Sequence, residues 1–212
     1  MSLYLRVHPK NPQLRLIAQA VAVVRQGGVI VYPTDSSYAL GCALDAKGAQ
    51  ERIRRLRRLS PNHDFTLMCR GLAEAALYAR MDNRAYRLLR ALVPGPYTFL
   101  LKATREVPRR LQNPKRKTIG IRIPDHPVAL ALLEALGEPM LSSTLILPGD
   151  EHPLADPEEI RERLEKQVDA ILDGGPGGLD PTTVVDLTDD VPVVVRRGKG
   201  PLTPLGDYQE RH

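Results

Sequence analysis

The stretch Val29-Ile30-Val31-Tyr32-Pro33-Thr34-Asp35-Ser36-Ser37-Tyr38-Ala39-Leu40-Gly41 decides how this chain is read. Its first four residues are apolar and β-branched or aromatic without alternation, the composition of a buried strand. Pro33 has no N–H to give a sheet ladder and ends the strand. The chain then leaves with five hydroxyl groups, on Tyr32, Thr34, Ser36, Ser37 and Tyr38, and one acid, Asp35. Thr, Asp and Ser suit turns, and polar groups at strand ends are also where open sheets take ligands. Upstream of it, Asn11-Pro12 opens a helical pattern in which Leu14, Ile17, Ala18, Val21 and Val24 recur, stopped by Gly27-Gly28. Downstream, a second helix is predicted over 46–59. Helix, strand and helix in succession place the chain in the α/β class.

The rest of the chain fills in that plan. Strands are predicted over 65–69, 97–102, 118–123, 183–187 and 191–196, and helices over 71–79, 83–92 and 128–136, the last capped by Asp125. Residues 140–146 are apolar with two Ser and a Thr inside, and 168–172 is a short apolar run. Asp156-Pro157-Glu158-Glu159 starts a helix, with Asp as cap and Pro at the first position. Gly174-Gly175-Pro176-Gly177-Gly178 reads as a flexible loop. Several neighbouring strands are joined too briefly for helical crossovers, which predicts a mixed sheet flanked by helices. No repeat or long linker divides the 212 residues. The reading is one domain over 1–212, with a core over about 12–200 and a tail over about 201–212.

Thirty Lys and Arg against 25 acids give a net charge of +5, a balance that favours anionic partners such as phosphates, nucleotides or nucleic acid. The two cysteines form no CxxC pair, and no segment approaches the ~20 apolar residues of a membrane span. A soluble, cytoplasmic protein is expected. The five His are never at metal-ligand spacing, so no structural metal is predicted. No GxSxG, Walker loop or GxGxxG is present.

The cations are unevenly spread. Residues 52–58 hold five Arg. On a helix Ala49, Ile53 and Leu56 form one stripe, leaving Arg54, Arg55 and Arg58 toward solvent as solvated charges or contacts for a polyanion. Arg57 flanks the stripe near the helix end, best placed to reach a site beside the sheet. Lys115-Arg116-Lys117 is a second cationic cluster. Arg122 alternates with Ile121 and Ile123 and shares a strand face with Gly120, which suggests a face kept clear for a close ligand. Arg196 and Arg197 end the last predicted strand in the same manner.

Five passages resemble the YciO/YrdC family, the YciO branch in particular. They are residues 33–41 quoted above, Pro94-Gly95-Pro96-Tyr97-Thr98, Gly120-Ile121-Arg122-Ile123-Pro124, Thr182-Thr183-Val184-Val185-Asp186-Leu187 and Val195-Arg196-Arg197-Gly198. They run in family order from about residue 12 to about 200. The resemblance implies a twisted mixed sheet enclosing a basic concave pit. It also implies an activity: threonine, bicarbonate and ATP, the last with Mg2+, give threonylcarbamoyl-AMP and pyrophosphate for a tRNA modification. Double-stranded RNA or tRNA binding is also attributed to the family, and Arg54, Arg58, Lys115, Arg116 and Lys117 would serve it here. By position, Thr34, Arg122, Ser142 and Thr182 would lie on the threonine side, and Arg57, Thr118, Thr144 and Arg196 along the nucleotide. Two motifs depart from the synthases. Their Lys-Gly-Arg-Pro run is Arg57-Arg58-Leu59-Ser60 here, and their Ser-Ala-Asn is Thr144-Leu145-Ile146. Both changes remove polar groups able to pair with a ligand, which implies a weak or altered synthase.

Overall fold

A computed structural model describes residues 2–60, 63 and 65–211. Among the described residues eleven strands form one sheet, with β1 and β11 at its two edges. In chain order these are β1 (Leu3–Arg6), β2 (Ile30–Tyr32), β3 (Ala39–Cys42), β4 (Thr66–Met68), β5 (Tyr97–Lys102), β6 (Thr118–Arg122), β7 (Met140–Thr144), β8 (Ala170–Asp173), β9 (Thr183–Asp186), β10 (Val193–Arg196) and β11 (Gln209–Glu210). They lie side by side in the order β1-β8-β2-β3-β7-β4-β6-β5-β9-β10-β11. The sheet combines parallel pairs such as β4 with β6 and antiparallel pairs such as β2 with β3. The predicted mixed sheet is therefore present.

Among the described residues six α-helices flank it: α1 (Leu14–Arg25), α2 (Lys47–Arg57), α3 (Leu72–Tyr78), α4 (Asn83–Leu92), α5 (Pro127–Leu136) and α6 (Pro157–Leu164). Ile53 of α2, Ala75 of α3, Leu89 of α4 and Ile160 of α6 bury against Leu40, Leu67, Phe99, Ile121, Leu141 and Val185 on one sheet face. On the other face, Ile17 and Val21 of α1 and Leu132 and Leu133 of α5 bury against Ile30, Tyr32, Ala39, Met68, Met140 and Leu172. Those two helices reach only as far as β7 and the end of β4. Beyond them no helix among the described residues packs on the second face, and the site lies there.

Four details differ from the sequence reading. The helix over 127–136 is capped by His126, whose Nδ1 accepts from the Val128 N–H at 3.2 Å, while Asp125 is exposed. Adjacent Asp and His both suit a cap, and only the backbone trace separates them. The sheet also runs past the predicted core limits, since β1 pairs in register with β8 and β11 with β10. β3 escaped the sequence reading because the polar residues before it read as a turn. Lastly, the 174–178 segment is packed down: a Cβ on Gly178 would lie 2.1 Å from the Ser36 carbonyl oxygen, and Tyr38 donates to the Gly175 carbonyl at 2.7 Å. Its glycines allow close approach to the 33–38 loop. Among the described residues no helix is long and apolar enough to cross a membrane.

Candidate anion-binding site

Side chains on the uncovered face follow from register. Ser142 of β7 pairs with Thr66 of β4, Thr66 with Gly120 of β6, and Gly120 with Leu100 of β5. With period-2 alternation these stand on one face. Ser142, Thr66 and Leu100 floor a cavity of about 210 Å³, whose wall includes Thr98, Thr144, Thr182, Val184 and three arginines, Arg57, Arg122 and Arg196. Among the described residues no carboxylate lines it.

Each arginine is held differently. Arg122, at the end of β6, is 4% exposed, and its NH2 donates to Thr34 Oγ1 at 2.9 Å, Ser36 Oγ at 3.0 Å and Asp35 Oδ1 at 2.5 Å. The hydroxyl-rich loop after β2 is thus a socket for one guanidinium. Thr34 also donates to the Ser37 carbonyl at 2.6 Å, tightening the loop on itself. Arg57 comes in at the end of α2, where Arg58 in the left-handed conformation (φ 48°) ends the helix. Its Nε donates to the Ile146 carbonyl at 3.0 Å and its NH1 to Ser143 Oγ at 2.7 Å. Arg196 ends β10 at the cavity mouth, its guanidinium donating to the Thr182 carbonyl at 2.9 and 3.1 Å and to Thr182 Oγ1 at 3.1 Å. Thr182 Oγ1 lies 2.8 Å from Thr98 Oγ1, and Tyr32 hydroxyl 2.8 Å from Ser142 Oγ.

The cations work against one another. Burial first, then the charge of Arg196, lowers the Arg57 pKa to about 10. Crowding of the Arg196 guanidinium by protein, then the charge of Arg122, lowers its pKa too. Asp35 neutralises Arg122 from behind, but among the described residues Arg57 and Arg196 bond only neutral oxygens. Such a cluster of cations suits an anion.

The predicted residues sort as follows. Arg57, Arg122, Ser142, Thr144, Thr182 and Arg196 line the one cavity. Thr34 stands behind Arg122 and acts through it. Thr118 is fully buried and does not line the cavity, although it shares the face of Gly120 and Arg122. Alternation gives a residue's face but not how far along the strand the opening extends. Gly120 is not a clearance for ligand: a Cβ there would lie 2.7 Å from Thr66 Oγ1, so the neighbouring strand uses the space. Arg197 pairs instead with exposed Glu210. Sequence reasoning noted Asp35 only as part of the strand-end segment and gave no site role to Thr66, Thr98, Ser143 or His63. Period-2 alternation from Arg122 through paired strands finds Thr98 and Thr66 only once strand order is known.

The polyanion candidates divide as well. Arg54 does not face solvent freely, since its guanidinium stacks 4.4 Å over the Phe65 ring. Arg116 is bound to Asp186 Oδ2 at 2.5 Å and Thr188 Oγ1 at 2.8 Å. Burial would raise the Asp186 carboxyl, but hydrogen bonds from Thr188 and Arg116 outweigh it and hold the group below the usual range. Arg116 therefore serves the fold, while Lys115, Lys117 and Arg58 remain exposed.

A family model described as telomere recombination, covering the Sua5, YciO and YrdC proteins, matches residues 22–198. The Escherichia coli YciO protein is 62% identical over 205 residues, 97% of this chain and 100% of its own. The chain belongs to the Sua5/YciO/YrdC family. The crystal structure of the same YciO superposes with a TM-score of 0.95. A threonylcarbamoyl-AMP synthase from Halorhodospira halophila is 32% identical over 172 residues, 80% of this chain and 89% of its own. P. abyssi Sua5, solved in complex with L-threonine, is 24% identical and shares the fold with a TM-score of 0.90 over 99% of this chain and 63% of its own. Of the two motifs that depart from the synthase pattern, Arg57 and Thr144 line the cavity, whereas the side chains of Leu59 and Ile146 do not. Leu59 packs against the core, and Ile146 contributes its carbonyl to Arg57.

Proposed function

We propose that the cavity binds ATP and a small amino acid, threonine by family likeness, and joins them through bicarbonate as threonylcarbamoyl-AMP synthases do. The observation that carries this reading is the convergence of Arg57, Arg122 and Arg196 on one hydroxyl-lined cavity without a lining carboxylate among the described residues. Condensation of the threonine amine with bicarbonate gives a carbamate and water. A carbamate oxygen then bonds to the α-phosphorus as the bond to the bridging oxygen breaks, and pyrophosphate leaves. Such a reaction is carried by positioning and charge stabilisation, with no side-chain nucleophile. Arg122, fixed by Asp35, Thr34 and Ser36, would take the amino acid carboxylate, beside Ser142 and Thr182. Arg57 and Arg196 would take the phosphates, beside Thr144. Mg2+ would enter on the nucleotide, since no group of three or more His, Cys, Asp or Glu among the described residues is arranged to hold a metal.

The test is to incubate purified protein with threonine, bicarbonate and labelled ATP and to quantify pyrophosphate and adenylate. Equal amounts of both, requiring all three substrates, are expected. Tight ATP binding without any adenylate would assign the pit to another substrate.

A second reading, structured RNA binding, is favoured by a separate surface. A groove between α2 and α6 is lined by Arg52, Arg55, Arg58, Arg163 and Lys166. Arg52 pairs with Asp169 and Arg163 with Asp150 and Glu159, but Arg55, Arg58 and Lys166 make no ion pair among the described residues. RNA affinity should fall steeply with salt, and Arg55→Gln with Arg58→Gln and Lys166→Gln should flatten the slope more than neutralising residues 115–117. An unchanged slope in the triple variant would remove this role.

A further inference from the structure

Among the described residues six hydroxyl side chains of Thr and Ser line the cavity, and four are already engaged. Thr98 bonds Thr182 at 2.8 Å, Ser142 bonds the Tyr32 hydroxyl at 2.8 Å, and Ser143 accepts from Arg57 at 2.7 Å. The hydroxyls of Thr66 and Thr144 bond no group among the described residues. Thr144 ends β7 between Ser143 and Ile146, the two residues that Arg57 bonds, and so belongs to the phosphate side. Thr66 lies on the side of Arg122. Its register partner Gly120 is two residues from Arg122 on β6 and shares its face. Thr66 is therefore the free hydroxyl beside the guanidinium assigned to the amino acid carboxylate.

What faces that hydroxyl is apolar. Gly120 pairs with Thr66 on one side and with Leu100 on the other, and both of these line the cavity. Thr66 Oγ1 leans into the space over Gly120, where a Cβ would lie 2.7 Å from it. Strands spaced about 4.8 Å apart put Thr66 and Leu100 about 10 Å from each other across that gap. The width suits one hydrogen bond of about 2.8 Å, one apolar contact of about 4 Å and a single branched carbon between them. Resting on the amino acid part of the reading above, we propose that Thr66 binds the β-hydroxyl of the substrate while Leu100 takes its β-methyl. The pair then selects L-threonine over both L-valine and L-allo-threonine. Valine sets a methyl against Thr66 and takes water from that hydroxyl without returning a bond. In L-allo-threonine the two branches exchange places, so a hydroxyl meets Leu100 and a methyl meets Thr66. The neighbouring hydroxyls of Thr98, Thr182 and Ser142 have partners already and give no substitute.

The test is calorimetric titration of L-threonine, L-allo-threonine and L-valine, first alone and then with α,β-methylene-ATP, whose α–β bridge does not break. Wild type should bind L-threonine about 10- to 100-fold more tightly than either analogue, the worth of one hydrogen bond and the burial of an unpaired hydroxyl. Thr66→Val keeps the β-branched shape of the strand position and removes only the hydroxyl. It should bring the threonine-to-valine ratio near unity, by weakening threonine and improving valine. Thr66→Ser restores a hydroxyl and should restore the preference. A merely structural role for Thr66 would change all three affinities together and leave their ratios alone. Equal affinity of wild type for L-threonine and L-allo-threonine would overturn the inference without any variant. So would an unchanged threonine-to-valine ratio in folded Thr66→Val, and either result leaves the amino acid site itself standing. Absence of L-threonine binding by wild type under both conditions would overturn the amino acid reading and the inference with it.

Discussion

One face of the sheet contains two regions that adjoin without a break, and they differ in what they bury. Under α1 and α5, Ile30, Tyr32, Met68, Met140 and Leu172 meet Ile17, Val21, Leu132 and Leu133. One step along the same strands, Ser142, Thr66 and Gly120 form the next row, of which Ser142 and Thr66 line the cavity. The boundary falls within single strands: Met140 and Ser142 both belong to β7, Met68 and Thr66 both to β4. Arg122 stands on it, paired in register with Met68 yet lining the cavity. Two residues of strand suffice to change a packing surface into a binding surface, because alternate positions share a face and only the helices above differ. The same backbone hydrogen bonds support both. The covered region supplies hydrophobic stability, and the open region spends some of it on crowded cations.

The largest effect is expected at the boundary. Asp35→Ala leaves Arg122, whose side chain is 5% exposed, without its carboxylate. A loss of about 3–5 kcal/mol in denaturant unfolding is expected, the cost of breaking a buried ion pair by removing one partner. Stability within 1 kcal/mol of wild type would show that the hydroxyl socket alone suffices, by rough comparison with neutral hydrogen bonds. Next comes the covered region. Leu133→Ala should cost about 2–5 kcal/mol while leaving the ATP affinity of the folded fraction unchanged. A weakened affinity there would mean that the regions are coupled and the comparison is too simple.

Effects on the open side should run the other way. Arg196→Gln removes a charge that lowers the Arg57 pKa. Stability should hold or rise, while ATP affinity falls about 10- to 100-fold, the worth of one charge-assisted contact. Thermal unfolding followed with and without ATP measures both, since a ligand of the native state raises its stability. The smallest change is Thr98→Val, which deletes one partner of the Thr182 hydroxyl. About 1 kcal/mol of stability should be lost, with little change in nucleotide affinity.

Much of this division was legible in the sequence, and what was not has identifiable causes. Arg57 could be placed because its phase beside Ile53 and Leu56 is a property of one helix. Arg122 could be placed on a face for the same local reason. The Arg116–Asp186 pair joins residues far apart in sequence, and nothing near Lys115-Arg116-Lys117 announces it. Gly120 was misread because the atom that needs its vacancy, Thr66 Oγ1, belongs to a strand whose neighbour is unknown until the sheet is ordered. Thr118 was named only through the family resemblance, and in the structure it is buried and does not line the cavity. β3 was concealed by the Pro33-Thr34-Asp35-Ser36-Ser37 socket, whose turn chemistry is real but serves to hold a guanidinium from β6.

The measurement that bears most directly on the central claim is calorimetric titration of ATP into wild type and into Arg57→Gln with Arg196→Gln. Both guanidiniums line the open cavity and neither bonds a carboxylate among the described residues, so removing them should spare the fold. The account predicts a single saturable site in wild type, weakened by about 100-fold or more in the double variant, with unfolding stability equal to or above wild type. Undiminished ATP affinity in a folded double variant would contradict it, and would move the anion site away from the uncovered half of the sheet.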